Sequence, residues 1–186
     1  VVVFVSLAAS LQAASDLNPV TFHKAPRHKP VALVKDGQPA GEIVVCAEDR
    51  MVQAAARDLQ ALIRATTGAE LPVVKERGAG PAIVVGDCPA AAAEGLVGGD
   101  MPVEGFAIRT APDTVYIVGN GEAGTTWGVD EFLERFVGVR WYWPETRDSD
   151  VLLGTSVEKR DELVVDPVHL SDAPFFRKRH RWPSGG

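Results

Sequence analysis

The chain has 186 residues, 46% hydrophobic and 24% charged, with a formal net charge of −6. That composition is ordinary for one globular domain and leaves little room for long disorder. The acidic balance excludes a protein built mainly to cover nucleic acid phosphates, which needs Lys and Arg in surplus on one face.

Residues 1–15 (VVVFVSLAASLQAAS) carry no charge and join an apolar stretch to small residues. They read as a secretory leader, with a buried strand as the alternative. Asp16, Asn18 and Pro19 end the run before the roughly twenty apolar residues that a membrane span needs. A leader places the mature protein outside the cytoplasm, secreted or periplasmic, with no membrane contact beyond it. The chain starts at Val1 and stops at Gly186 in what reads as continuing sequence, so a piece of a longer protein is expected.

Residues 16–30 form a proline-rich, extended lead-in. A strand is predicted over residues 31–35, and Asp36-Gly37 turns it into a hairpin with residues 42–46. In residues 49–67, Val52, Ala55, Ala56, Leu59, Leu62 and Ile63 recur at three- and four-residue steps, which predicts an amphipathic helix stopped by Gly68. Short strands are predicted at residues 71–74 and 82–86, then a short helix and loop over residues 89–99. A hairpin with a Pro112-Asp113 turn joins residues 105–110 to 114–118. A second helix is predicted over residues 124–137, its stripe set by Val129, Phe132, Leu133 and Phe136 and its end by Gly138. An aromatic strand at residues 139–143 and one more at 162–165 complete a mixed sheet with helices packed on one face.

Cys46 and Cys88 each follow an apolar run. Two free buried thiols are the preferred reading, and a disulfide is the alternative that export would permit. With His23, His28, His169 and His180 scattered and no C-x-x-C or H-x-x-x-H spacing, no metal site is predicted. No Ser/His/Asp or Cys/His set can be assembled either, and Glu131, Glu134, Asp148 and Asp150 read as helix surface and loop rather than as a catalytic pair.

Gly119-Asn120-Gly121-Glu122-Ala123-Gly124 is a G-x-G-x-x-G that follows a strand and opens a helix, the context of a dinucleotide-binding loop. It arrives late in the chain, without further βαβ units, and Glu145 sits off the strand end where a ribose-binding carboxylate belongs. The preferred reading of Gly119, Gly121 and Gly124 is therefore a tight strand-to-helix turn, with no cofactor, and nucleotide binding is the alternative. In Trp141-Tyr142-Trp143, alternation puts Trp141 and Trp143 on one face. They are expected to pack in the core, or else to offer a platform for sugar rings. Arg177, Arg179 and Arg181 alternate in a basic terminal run.

Taken together, residues 55–73 (AARDLQALIRATTGAELPV), 83–86 (IVVG), 104–109 (EGFAIR), 115–119 (VYIVG) and 124–144 (GTTWGVDEFLERFVGVRWYWP) resemble the N-terminal non-catalytic domain of α-glucuronidase- and β-hexosaminidase-like glycoside hydrolases, including secreted bacterial glycosidase-like proteins. The resemblance covers residues 31–181. It implies an α+β domain, a mixed β-sheet with two main helices packed on one face, over residues 31–170. It further implies that residues 171–186 begin a catalytic TIM barrel that would be this domain's partner and hold both catalytic carboxylates. It also implies a sugar-binding arginine near that junction, for which Arg177 is the nearest match, although Lys178 stands where the family has glycine. An accessory domain of an exported carbohydrate-active hydrolase, inactive by itself, is the function expected. Carbohydrate binding through Trp141 and Trp143, or dinucleotide binding through residues 119–124, are the alternatives.

Overall fold

The computed structural model describes residues 20–142 and 154–175. In chain order, the strands and helices are β1 (Thr21–Phe22), β2 (Val31–Lys35), β3 (Gln38–Pro39), β4 (Glu42–Val45), α1 (Arg50–Thr67), β5 (Val73–Val74), β6 (Ala82–Val85) and α2 (Pro89–Ala93). A 3-10 turn at Gly98–Asp100 leads to β7 (Phe106–Ala111), β8 (Thr114–Gly119) and α3 (Gly121–Phe132), which runs into a π-helical turn, Leu133–Val137. Then follow β9 (Arg140–Trp141), β10 (Thr155–Ser156), β11 (Leu163–Val165) and β12 (His169–Asp172).

The main sheet has seven strands in the order β1-β12-β7-β8-β6-β4-β5. β8, β6, β4 and β5 run parallel to one another, whereas β7 and β12 are antiparallel to their neighbours. Parallel neighbours need a crossover, and α1 supplies it between β4 and β5. Local signals fix that helix at both ends. The Asp49 carboxylate accepts from the Met51 and Val52 amides at 2.7 and 3.3 Å, and Gly68, at φ +79°, donates its amide to Arg64 O at 2.8 Å.

Alternation along the strands sorts their side chains into two cores. Ile43, Ile83, Ile108 and Ile117 meet Leu59 and Ile63 of α1 and Val129 and Phe132 of α3 on one face. Val44, Val84, Tyr116 and Val118 point the other way, toward Ala91 of α2 and Leu96. The fold is thus α+β, a mixed sheet with its two main helices on one face, as the sequence predicts. Among the described residues no helix is long and apolar enough to cross a membrane.

Several elements differ from expectation. The Asp36-Gly37 turn exists, with φ of +50° and +68°, but it joins β2 to β3 rather than to residues 42–46. A two-residue turn sets Lys35 opposite Gln38 and Val34 opposite Pro39, and Ala40 donates its amide to Leu33 O at 2.9 Å just beyond. β2 and β3 join β11 in a separate three-stranded sheet, which leaves β4 for the main one. β9 pairs with β10 in a sheet of its own. β1 and β12, which no local pattern marks, extend the main sheet beyond β7. α3 starts three residues before the predicted Gly124, because Gly121 and its low helix propensity hide the first turn.

Candidate functional site

The glycine turn lies where β8 delivers the chain to α3. Asn120 holds it from both ends, its amide donating to Gly105 O at 2.8 Å and its side chain to Met101 O at 2.7 Å. A Cβ on Gly119 would overlap the backbone of Gly124 and Thr125, and one on Gly124 would overlap Gly105 O. Gly119 and Gly124 thus admit the protein's own backbone, which is a packing reason for glycine at both positions. The hollow beside the turn, at the ends of β4, β6 and β8, is lined by Asp49, Asp87 and Glu122. Asp49 caps α1 and Asp87 accepts the Gly98 amide at 3.0 Å, and such carboxylates repel a phosphate rather than receive it.

A second concavity has a more useful chemistry. A groove of about 500 Å³ between α3, β9 and the end of β12 is lined by Trp127, Trp141, Glu104, Asp130, Glu134 and Asp172, with Phe106 and Glu131 beneath. Trp127 and Trp141 are 43% and 41% exposed, and Tyr142 is 72% exposed. The expectation that Trp141 packs in the core is therefore corrected. Alternation in so short a strand fixes which side chains share a face but not what covers that face. Trp143 and Arg177 lie outside the described residues. Indole faces can stack on the C–H faces of a sugar, and the carboxylates beside them can accept its hydroxyl hydrogens.

The acids here play different parts. Glu131, read from sequence as helix surface, is only 6% exposed, and its Oε1 accepts from Arg135 Nε at 2.5 Å. The E-x-x-x-R spacing at i, i+4 was the signal that a charged residue could be buried there. Glu134 faces Arg140, 3.7 Å away. Asp130 sits against α1, and burial first, then the Asp58 charge, pushes its carboxyl up to about 6. Ionising Asp130 therefore opposes folding. The penalty is absent below about pH 4, where folded and unfolded chains both hold the proton, grows as pH rises to about 6, and stays constant above. Asp130→Asn is expected to stabilise the chain by about 2 kcal/mol at neutral pH and by almost nothing near pH 4, read from urea unfolding at both pH values. Equal gains at the two would refute it.

Cys46 and Cys88 are both free, and each packs at the rim of the core on the α2 side. Burial, with the hydrogen bond and charge of Cys88 added, pushes the Cys46 thiol up to about 12, so it stays protonated and inert. Among the described residues no group of three or more His, Cys, Asp or Glu could hold a metal ion. The structure does bring together His23 and His169, which the sequence leaves at opposite ends of the chain. Their ring centroids are 4.5 Å apart, and His23 Nε2 lies 2.8 Å from Ser171 Oγ.

No curated protein matches the chain. Among solved structures, it is similar to a mutant Streptomyces plicatus β-hexosaminidase in complex with its product GlcNAc, at 18% identity and a TM-score of 0.53, covering 86% of this chain and 25% of that one. It is similar to the family 20 β-N-acetylhexosaminidase of Streptomyces coelicolor A3(2), at 17% identity and a TM-score of 0.52, covering 86% and 26%. It is also similar to a family 115 4-O-methyl-α-glucuronidase with specificity for decorated arabinogalactans, at 15% identity and a TM-score of 0.53, covering 77% and 18%. At such identities the likeness is one of fold, and the chain spans about a quarter of the length of these hexosaminidases or less of the glucuronidase. The profile of glycosyl hydrolase family 20, domain 2, matches residues 38–136. That stretch holds more than half of the 186 residues, and the chain belongs to this family of glycosidase accessory domains.

Proposed function

We propose that the chain is the non-catalytic N-terminal domain of an exported carbohydrate-active hydrolase, that it braces a catalytic TIM barrel in the same polypeptide, and that it hydrolyses no glycoside alone. The family match over residues 38–136 carries this reading, supported by the share of the hexosaminidases, about a quarter, over which the likeness extends. The groove chemistry agrees with it. A retaining or inverting glycosidase needs two carboxyl groups free to act on either side of the bond. Here Glu131 is buried and bonded to Arg135, and burial with the Asp58 charge beside it makes Asp130 hard to ionise. The purified chain is expected to release no chromophore from aryl amino-sugar or aryl uronic acid glycosides. Turnover that follows the chain through purification would overturn the proposal.

A second reading, carbohydrate binding, draws on the half-exposed Trp127 and Trp141 in one groove. It predicts saturable change in tryptophan emission on titration with amino-sugar or uronic acid oligosaccharides, diminished in Trp141→Ala. Flat emission would remove it.

A further inference from the structure

On the sheet face that carries α2, three neighbouring strands present one row of cation-forming side chains. Arg109 on β7 stands directly opposite His169 on β12, and His23, just past β1, donates its amide to His169 O at 2.8 Å and stacks on the His169 ring. The lead-in folds over the end of this row and adds Lys24 and Arg27 around an open depression of about 600 Å³. On a chain of net charge −6, three permanent cations and two imidazoles thus converge on one hollow.

Their charges are poorly answered from within. The acid that meets the row is Glu94, just past α2, whose Oε2 is 3.7 Å from Arg109 Nε. That is an ion pair without a hydrogen bond, and Arg109 Nε is buried with no acceptor among the described residues. Lys24 and Arg27 form no ion pair among the described residues. On the other side of Arg109 stands Tyr116 of β8, its phenol pushed up by burial and so neutral. Ser171 holds the His23 ring in place through their 2.8 Å contact. Arg109 Nε is out of reach from the hollow, but the Arg109 side chain is 28% exposed and lines it, so the guanidinium's charge is felt there.

We infer that this depression is an oxyanion-binding site, suited to the carboxylate or sulfate group of a saccharide-sized ligand. Guanidinium and ammonium groups cannot ligate a metal, whereas Arg109 and Arg27 offer forked donors that fit a carboxylate or sulfate. The site is on the face opposite the Trp127–Trp141 groove and does not depend on the function proposed above. Burial, and then the electrostatic influence of His23 and Arg109, holds the His169 imidazole below its ordinary range. An anion reverses the electrostatic part of that effect, so binding takes up a proton and tightens as pH falls.

The test is titration of the full chain with sodium sulfate, sodium glucuronate and, as the ionic-strength control, sodium chloride, read from the imidazole proton resonances of His23 and His169. The expected result is saturable shifts with sulfate, glucuronate or both, absent with chloride, and several-fold tighter near pH 5 than near pH 8. Saturation by glucuronate alone assigns the site to carboxylates, by sulfate alone to sulfate esters, and by both to oxyanions generally. Arg109→Gln should weaken binding about tenfold or more, since a hydrogen bond to a charged group is lost. The exposed Lys24→Gln/Arg27→Gln double variant, which removes no buried contact, should weaken it several-fold with an unchanged melting temperature. Shifts that are linear and alike in all three salts, binding that tightens toward pH 8, or a double variant that binds as wild type would overturn the inference.

Discussion

Gly119→Ala is expected to destabilise the fold by about 3–5 kcal/mol, a loss at the upper end for one added methyl group. The new Cβ would lie 2.6 Å from Gly124 O and closer still to Gly124 C and Thr125 N. All three are backbone atoms of the first turn of α3, and that backbone cannot yield alone. Gly124 is itself pressed on Gly105 O, and Gly98 on Gly119 O from the other side. Gly121 is the internal control. It adopts φ +74°, yet a Cβ there meets nothing within 4 Å, so Gly121→Ala should cost only about 1–2 kcal/mol of backbone strain. Urea unfolding of the two variants decides between roles for the motif. Glycines kept for a phosphate would be tolerant in the unliganded chain, with both changes costing little, whereas packing predicts the large asymmetry. A Gly119→Ala loss no greater than that of Gly121→Ala would mean that the turn is looser than its contacts imply.

The elements legible in the sequence are those whose cause is local. The α1 stripe, the Asp49 cap and the Gly68 stop all act within one or two turns, and the β7–β8 hairpin is closed by a turn made of its own residues, with Asp113 at φ +55°. What escaped is non-local. β1 and β12 are two and four residues long, and their register joins Thr21 to Ser171 across most of the chain. Each alone lacks any periodic signal: β12 exists because the edge of β7 offers unpaired backbone groups, and β1 because the edge of β12 then does. The same distance hides the Arg109–His169–His23 row, whose members come from three segments. For the Trp127–Trp141 groove the missing information is of another kind. Large aromatic residues in a strand read as core by default, and only the packed structure leaves them half exposed.

Phe132→Ala is expected to cost about 3–5 kcal/mol, because it opens a cavity where helix, sheet and second helix meet. Phe132 is fully buried, and its ring centroid is 5.3 Å from that of Phe136, one turn on. The site has little freedom to collapse. One turn earlier, Gly128 lets α3 rest directly on β8 and β7, its Cβ position being 2.8 Å from Ile117 Cγ2 and 3.2 Å from Phe106 Cβ. That contact pins the helix at a fixed height above the sheet, so the chain cannot settle inward to refill the space. Phe132→Leu keeps most of the volume and should cost about 1.5 kcal/mol or less. Urea unfolding with an unchanged m-value checks both figures. The consequence reaches the groove, since Trp127 lies on α3 before Phe132, and β9 with Trp141 follows the π-helical turn after it. Loss of the ring should therefore shift tryptophan emission in the folded variant. A cost under about 1 kcal/mol would show that α3 is held by its other contacts and not by this ring.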